Sequence, residues 1–266
     1  MATLPAEPRA TMRIERVLAN NPGPYTGPGT NTWLLDDGGG NVVVIDPGPV
    51  DSRHATAIVE LLGQRTPVAV LVTHTHPDHA PMANPLAGEL GVPAVGHGPG
   101  PEFDPDVRLL DGSDLMVGSL RLEVIHTPGH SNDHLCFLAG AVAFTGDHII
   151  GGSSVMVQDM GRYLASLRRL RGLSLDRLLP GHGEEMGQPE AVIDWYLAHR
   201  LQRHQEVYQA VAAGVGTVAD IVASVYAGVD QSLHPLATRS VSAHLRLLFE
   251  EGRIAWDGEV PVALPP

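Results

Sequence analysis

Val68-Ala-Val-Leu-Val-Thr73-His-Thr-His-Pro-Asp-His79 is the stretch from which the rest of the chain can be read. The aliphatic run Val68 to Val72 predicts a buried strand. His74, His76, Asp78 and His79 follow directly at its end, three imidazoles and a carboxylate within six residues. Neutral imidazole and carboxylate are the ligands expected of zinc or iron. Three further candidates follow in Gly-containing turns: His130 in Thr127-Pro-Gly-His-Ser131, Asp147 in Phe144-Thr-Gly-Asp-His148, and His182 in Pro180-Gly-His-Gly183. Each comes shortly after an expected strand, so all can gather at one edge of the sheets, where small Gly and Pro neighbours let the backbone turn sharply. A single histidine after a strand is ordinarily a surface or hydrogen-bonded core residue. Seven candidates in this order read as a metal centre.

Around this stretch the first two thirds of the chain alternate short strands with helices. Asn41 to Ile45 is a buried strand closed by Asp46-Pro-Gly48, and Ser52 to Leu62 has helical spacing with a Ser or Asp cap. Leu120 to Ile125 alternates as a half-buried strand. Leu135 to Leu138 and Ala141 to Thr145 flank a tight turn at Gly140, Arg162 to Arg171 is helical, and Arg177 to Leu179 is a short strand. The mixture predicts an α/β or α+β layered domain over residues 1–186. From Pro189, which suits a first helical turn, apolar positions keep helical spacing to Gly214. A second helix starts at a Thr217 cap, and a third carries Val241, Leu245 and Leu248. Ile254 and Trp256, an Asp257-Gly258 hairpin turn, and the alternating Val260, Val262 and Leu264 complete the order of a winged helix over 187–266.

Composition removes several functions. Apolar residues make up 43% and charged residues 18% of 266, a globular rather than a disordered balance. All 17 basic residues are arginine, so mechanisms that need a lysine, from Schiff bases to the P-loop, are excluded. The net charge of −13 disfavours a broad grip on nucleic acid or an anionic membrane. One cysteine, Cys136, excludes an internal disulfide and fits a reducing, cytoplasmic location. The opening MATLPAEPRATMRIER has no apolar core of a secretory signal, and the aliphatic run at 68–72 is too short to span a bilayer.

The motif His74, His76, Asp78, His79 resembles the HxHxDH signature of the metallo-β-lactamase superfamily. The resemblance implies an αββα sandwich with two divalent metal ions, zinc being the expected metal. By motif position His74, His76 and His130 hold the first ion, Asp78, His79 and His182 the second, and Asp147 bridges both. Lactamase activity is not implied, because lactamases with two zincs usually place cysteine where this chain has Asp147. The segment Asn21 to Trp33, the His199-Arg200 pair and the winged tail are similar to the β-lactamase-like protein 2 group. That group includes a single-strand-specific endoribonuclease and fungal thioesterases acting on acyl carrier protein. Ala80 stands where the superfamily commonly has Gly.

The chemistry implied is hydrolysis. Two divalent ions about 3.5–4 Å apart share a water and lower its pKa, giving a bridging hydroxide. Asp78 is the catalytic candidate to orient that water and accept its proton. No Gly-x-Ser-x-Gly elbow supplies a covalent nucleophile, and Ser153-Ser154 reads as a flexible turn. The substrate is left open between single-stranded RNA and a small-molecule thioester or ester. Residues 187–266 carry five Arg against nine Asp or Glu, so the tail fits a substrate wall or a homodimer contact as well as a nucleic-acid reader. Two other classes compete: an iron-dependent oxidoreductase of the same fold, and a metal-sensing winged-helix regulator. Against the second, Thr238 to Arg246 offers only two arginines. Of the remaining histidines, His126 and His134 are expected to brace the His130 turn and His148 to point away from the ligands. His97 is expected on a surface loop, and His244 on a solvated helix face. Asp46 is placed to bond a ligand imidazole from behind.

Overall fold

The computed structural model describes residues 11–152, 154–230 and 234–265. Residues 1–10, including most of the opening segment read above, and Ser153 lie outside them. The chain forms two compact units whose segments alternate along the sequence.

The first unit, residues 1–125 with 137–140 and 181–183, is built on a six-stranded sheet in chain order. Its strands are β1 (Arg13–Leu18), β2 (Asn31–Asp36), β3 (Asn41–Ile45), β4 (Thr66–Leu71), β5 (Ala94–Gly96) and β6 (Val107–Arg108). β1, β2 and β3 are antiparallel, and β3 to β6 run parallel. The parallel register needs crossovers, supplied between β3 and β4 by α1 (Ser52–Leu62) and between β4 and β5 by α2 (Ala83–Leu90). α1 has the bounds its apolar spacing predicts, and the Asp51 side chain caps it by accepting from Arg53 N. Val42, Val44, Val70 and Val72 of the sheet pack with Ile58 and Leu62 of α1 and Leu86 of α2 in one core. A hairpin of β7 (Asp114–Val117) and β8 (Leu120–His126) follows.

A second six-stranded sheet has the order β12-β11-β10-β9-β8-β7. It adds β9 (Leu135–Ala139), β10 (Val142–Gly146), β11 (Arg177–Pro180) and the two-residue β12 (Met186–Gly187). Gly140 turns the β9–β10 hairpin at φ +61°. Within the second unit β10 pairs parallel to β11 through the crossover helix α3 (Met160–Arg171).

The same unit contains the C-terminal helices α4 (Pro189–Ala212), α5 (Val218–Val225) and α6 (His234–Glu250), then β13 (Ile254–Trp256) and β14 (Pro261–Ala263). Val207, Val211, Ile221, Val222, Val241, Leu245, Leu248 and Ile254 form their shared core, and Thr217 caps α5. Two expectations fail here. The wing turn is not two residues: Trp256 pairs with Pro261, leaving a four-residue loop in which Asp257 Oδ1 accepts from Glu259 N and Val260 N. The pairing therefore moves by two residues, which keeps the faces: Pro261 lies inward with Ile254, and Val260, Val262 and Leu264 face solvent on the side of Ala255. His244 is not on a solvated face but fully buried, its Nδ1 3.3 Å from His204 Nδ1.

Candidate metal centre

In the first unit the loop after β4 places four of the expected ligands. Asp46, the residue after β3, organises it from below. Its Oδ1 accepts from Thr73 N at 2.7 Å, and its Oδ2 accepts from Thr73 Oγ1 at 2.7 Å and from His79 Nδ1 at 2.9 Å. Asp46 takes φ +53°, a left-handed conformation in which Asp is one of few tolerated side chains. The Thr73 hydroxyl has given its proton to Asp46, so at 3.0 Å it accepts from His74 Nδ1. One carboxylate thus fixes the tautomer of two histidines.

His182, on the turn after β11, is held from another direction. Its Nδ1 donates to Gly29 O at 3.1 Å, and Asn31 secures the turn by donating its N–H to Gly181 O and its Nδ2 to Gly183 O. Gly29 is required: at φ +146° an added Cβ would lie 2.0 Å from Ala19 O. The Asn21 to Trp33 segment is therefore a cradle for His182.

With their Nδ1 protons committed, His79 and His182 face each other through unprotonated Nε2 atoms 3.3 Å apart. Asp78 Oδ2 lies 3.2 Å from His182 Nε2 and 3.6 Å from His79 Nε2. In neutral rings with Nδ1 protonated, two Nε2 lone pairs and a carboxylate oxygen converge here, the donor set a cation binds. Ligands at about 2.0–2.1 Å around a tetrahedral zinc are separated by about 3.3 Å, so this spacing fits the metal. The neighbouring pair, His74 Nε2 and His76 Nδ1, approaches to 2.9 Å. The first unit thus carries a His/Asp cluster suited to binding a metal ion.

In the second unit His130 Nε2 lies 3.6 Å from Asp147 Oδ2, and His130 Nδ1 donates to Met156 O at 2.7 Å. His134 orients Asp147. Its Nε2 accepts from Asp147 N at 3.1 Å, and its Nδ1 bonds Thr127 Oγ1 at 2.9 Å. His126 braces the same turn through Nε2 to Asn132 O. His148 is fully buried against the Tyr163 ring, and burial pushes its pKa down to about 3, so it stays neutral and outside the His/Asp cluster. The spacing of the motifs marks the candidate ligands, but not Gly29 O or Met156 O, because backbone carbonyls carry no sequence signal. The Thr-His order in Thr73-His74 was the one available clue to the hydroxyl.

Two sheets of mixed strands with crossover helices, a His/Asp cluster suited to a metal ion and a C-terminal set of helices with a small hairpin define the class of an α/β protein with a candidate metal centre. Residues 25–182 match the metallo-beta-lactamase superfamily and residues 217–260 the beta-lactamase associated winged helix domain. The chain belongs to the metallo-beta-lactamase superfamily. It is 29% identical to the beta-lactamase-like protein 2 homolog of Drosophila melanogaster, over 96% of this chain and 94% of that one. It is 28% identical to the atrochrysone carboxyl ACP thioesterase of Aspergillus novofumigatus, over 100% and 88%. A metallo-beta-lactamase family protein from Thermus thermophilus superposes with a TM-score of 0.77 at 22% identity, covering 95% of this chain and 98% of that one.

Proposed function

We propose that the chain is a dinuclear metal hydrolase, with zinc as its metal, that cleaves a small-molecule thioester or ester. The observation that carries the hydrolase reading is the convergence of the unprotonated Nε2 atoms of His79 and His182 on Asp78 Oδ2. His74, His76 and His130 would hold one ion and Asp78, His79 and His182 the other, with Asp147 within reach of both sets. When bound, such ions polarise a carbonyl oxygen and make water nucleophilic near neutral pH.

The chain's own residues then act as follows. Asp46 and Gly29 O keep the Nε2 atoms of His79 and His182 unprotonated. The half-buried Asp78 carboxylate orients the attacking water and takes its proton. The superfamily match, the thioesterase-named relative and the net charge of −13 support an acyl substrate over RNA. No helix among the described residues is long and apolar enough to cross a membrane. On this reading residues 1–186 are catalytic, residues 187–266 form a substrate wall, and the enzyme works in the cytoplasm.

The test is metal analysis of protein purified without added metal, with a panel of an acyl thioester, bis(p-nitrophenyl) phosphate, a single-stranded RNA and a cephalosporin. About two zincs per chain and thioester turnover, abolished in Asp78→Asn, is the expected result. RNA or phosphodiester cleavage without thioester turnover would overturn the substrate, and iron with no hydrolysis would overturn the reaction.

A further inference from the structure

We propose that Arg200 on α4 is a positioning residue for His130: by holding the Val155 carbonyl it keeps the adjacent Met156 carbonyl on His130 Nδ1. The proposal rests on the reading of His130 as a metal ligand.

The segment after β10 runs from Asp147 to Asp159 at the start of α3, and three helices of the second unit hold it. Tyr163 of α3 donates its hydroxyl to His148 O at 2.8 Å. Tyr196 of α4 donates to Ile150 O at 2.9 Å and accepts from Ile150 N at 3.2 Å. Arg200, one turn further along α4, donates through Nη2 to Val155 O. Arg239 of α6 reaches Met156 Sδ at 3.2 Å. Gln158 N and Asp159 N close the segment on Gly129 O, next to His130 itself. The carbonyl that sets the His130 tautomer thus belongs to a strap held in part from α4 and α6, beyond the 25–182 span of the superfamily match.

Stability does not account for Arg200. It is 2% exposed and the largest of the fully buried side chains, and its Nε has no partner among the described residues. Its guanidinium lies 5.5 Å from the Tyr163 ring centre, a weak compensation for the loss of water. A buried cation without a carboxylate is destabilising relative to an apolar side chain of similar size. What Arg200 provides instead is reach and direction: a planar fork that fixes one carbonyl of an otherwise irregular strap. The residue bonded there adjoins the one that bonds the ligand, so a shift of the strap is transmitted to His130.

The experiment uses the full chain, stripped of metal and titrated with zinc against a chromophoric chelator, and with cobalt for its visible bands. Wild type, Arg200→Met, His130→Ala and Arg203→Met are compared. Arg203 is on the same helix but bonds Glu206 and Val225 O rather than the strap. Arg200→Met is expected to weaken one of the two binding steps about 10–100-fold, as loss of a ligand's outer partner does. The step affected is the one lost in His130→Ala, with altered cobalt bands; the other step and Arg203→Met stay as wild type. If circular dichroism shows Arg200→Met unfolded, Tyr196→Phe loosens the strap at Ile150 and is expected to weaken the same step. Two wild-type steps in folded Arg200→Met, or in Tyr196→Phe where that variant stands in, overturn the proposal alone. A His130→Ala protein that keeps both steps overturns the ligand reading on which it rests.

Discussion

Replacing Asp46 by Asn changes one atom type and leaves the backbone alone, since Asn tolerates the left-handed φ of +53° as Asp does. The carboxylate accepts three hydrogen bonds, two from Thr73 and one from His79 Nδ1. An amide has one accepting end. If its oxygen stays on Thr73 N, its NH2 faces the Thr73 hydroxyl and His79 Nδ1, both donors at present. His79 must then give up the Nδ1 proton and carry it on Nε2, aimed at Asp78 and His182. The Thr73 hydroxyl must also turn, which removes the acceptor that sets His74 Nδ1. If the amide flips instead, the buried Thr73 N–H faces a donor, at about 1–3 kcal/mol. Loss of an outer partner of one ligand weakens metal binding about 10–100-fold. Two ligands are affected here, so the expected loss is about 100-fold, or about 2.7 kcal/mol. Chelator competition measures it, and the melting temperature of the metal-free protein serves as the control for folding. Wild-type affinity in a folded Asp46→Asn protein would refute the tautomer argument.

Ligand removal is the bluntest check: His79→Ala and Asp147→Ala are each expected to lose metal content and hydrolysis while keeping a wild-type circular dichroism spectrum, and full metal in either rejects that ligand. Gly29→Ala places a Cβ 2.0 Å from Ala19 O, which is expected to cost about 2–4 kcal/mol in a urea melt and to weaken zinc binding through His182; an unchanged melt would show the cradle to be slack. His244 has its pKa pushed well below the ordinary histidine value, first by burial and then by the neighbouring His204. The unfolded chain therefore binds this proton first as pH falls, so the stability is complete above about pH 6.5 and declines below it by up to about 1.4 kcal/mol per pH unit. Urea melts of His244→Leu at pH 7.5 and 5 are expected to show a smaller loss on acidification than wild type, and an equal loss would remove His244 as its source.

Where local pattern and tertiary demand agree, the sequence is easy to read. α1 needs only its Ala55, Ile58, Val59, Leu62 stripe and its Asp51 cap, and Gly140 needs only a tight turn between two apolar runs. α2 escapes such reading because Ala83-Asn-Pro-Leu-Ala-Gly carries a proline and a glycine within six residues. It is helical because Ala83, Leu86 and Ala87 are buried on the first sheet's core, a tertiary demand that overrides propensity. The wing misleads in a different way. Val260, Val262 and Leu264 alternate as a buried face should, yet in the antiparallel pair they share the face of the exposed Ala255, opposite Ile254 and Trp256, and point to solvent. His244 looks polar and solvated on its helix, and only the packing of α4 against α6 reveals its burial against His204. At the site the seven candidate side chains and Asp46 behind them are visible in the sequence, whereas the Gly29 and Met156 carbonyls that aim His182 and His130 are not.

Those aiming groups share one property. His79 is tied at Nδ1 to the Asp46 carboxylate, His182 to Gly29 O, His130 to Met156 O, and His74 to a Thr73 hydroxyl whose proton is already given to Asp46. Each partner can only accept, so each ring holds its proton at Nδ1 and offers an unprotonated Nε2. A neutral ring in that state presents its Nε2 lone pair, as a cation's ligand does. The arrangement has a structural cost at Asp46, which sits at positive φ to make its bonds. Asp46 is one of three non-glycine residues at positive φ among the described residues, and that conformation serves the carboxylate that holds the His79 proton and, through Thr73, the His74 proton.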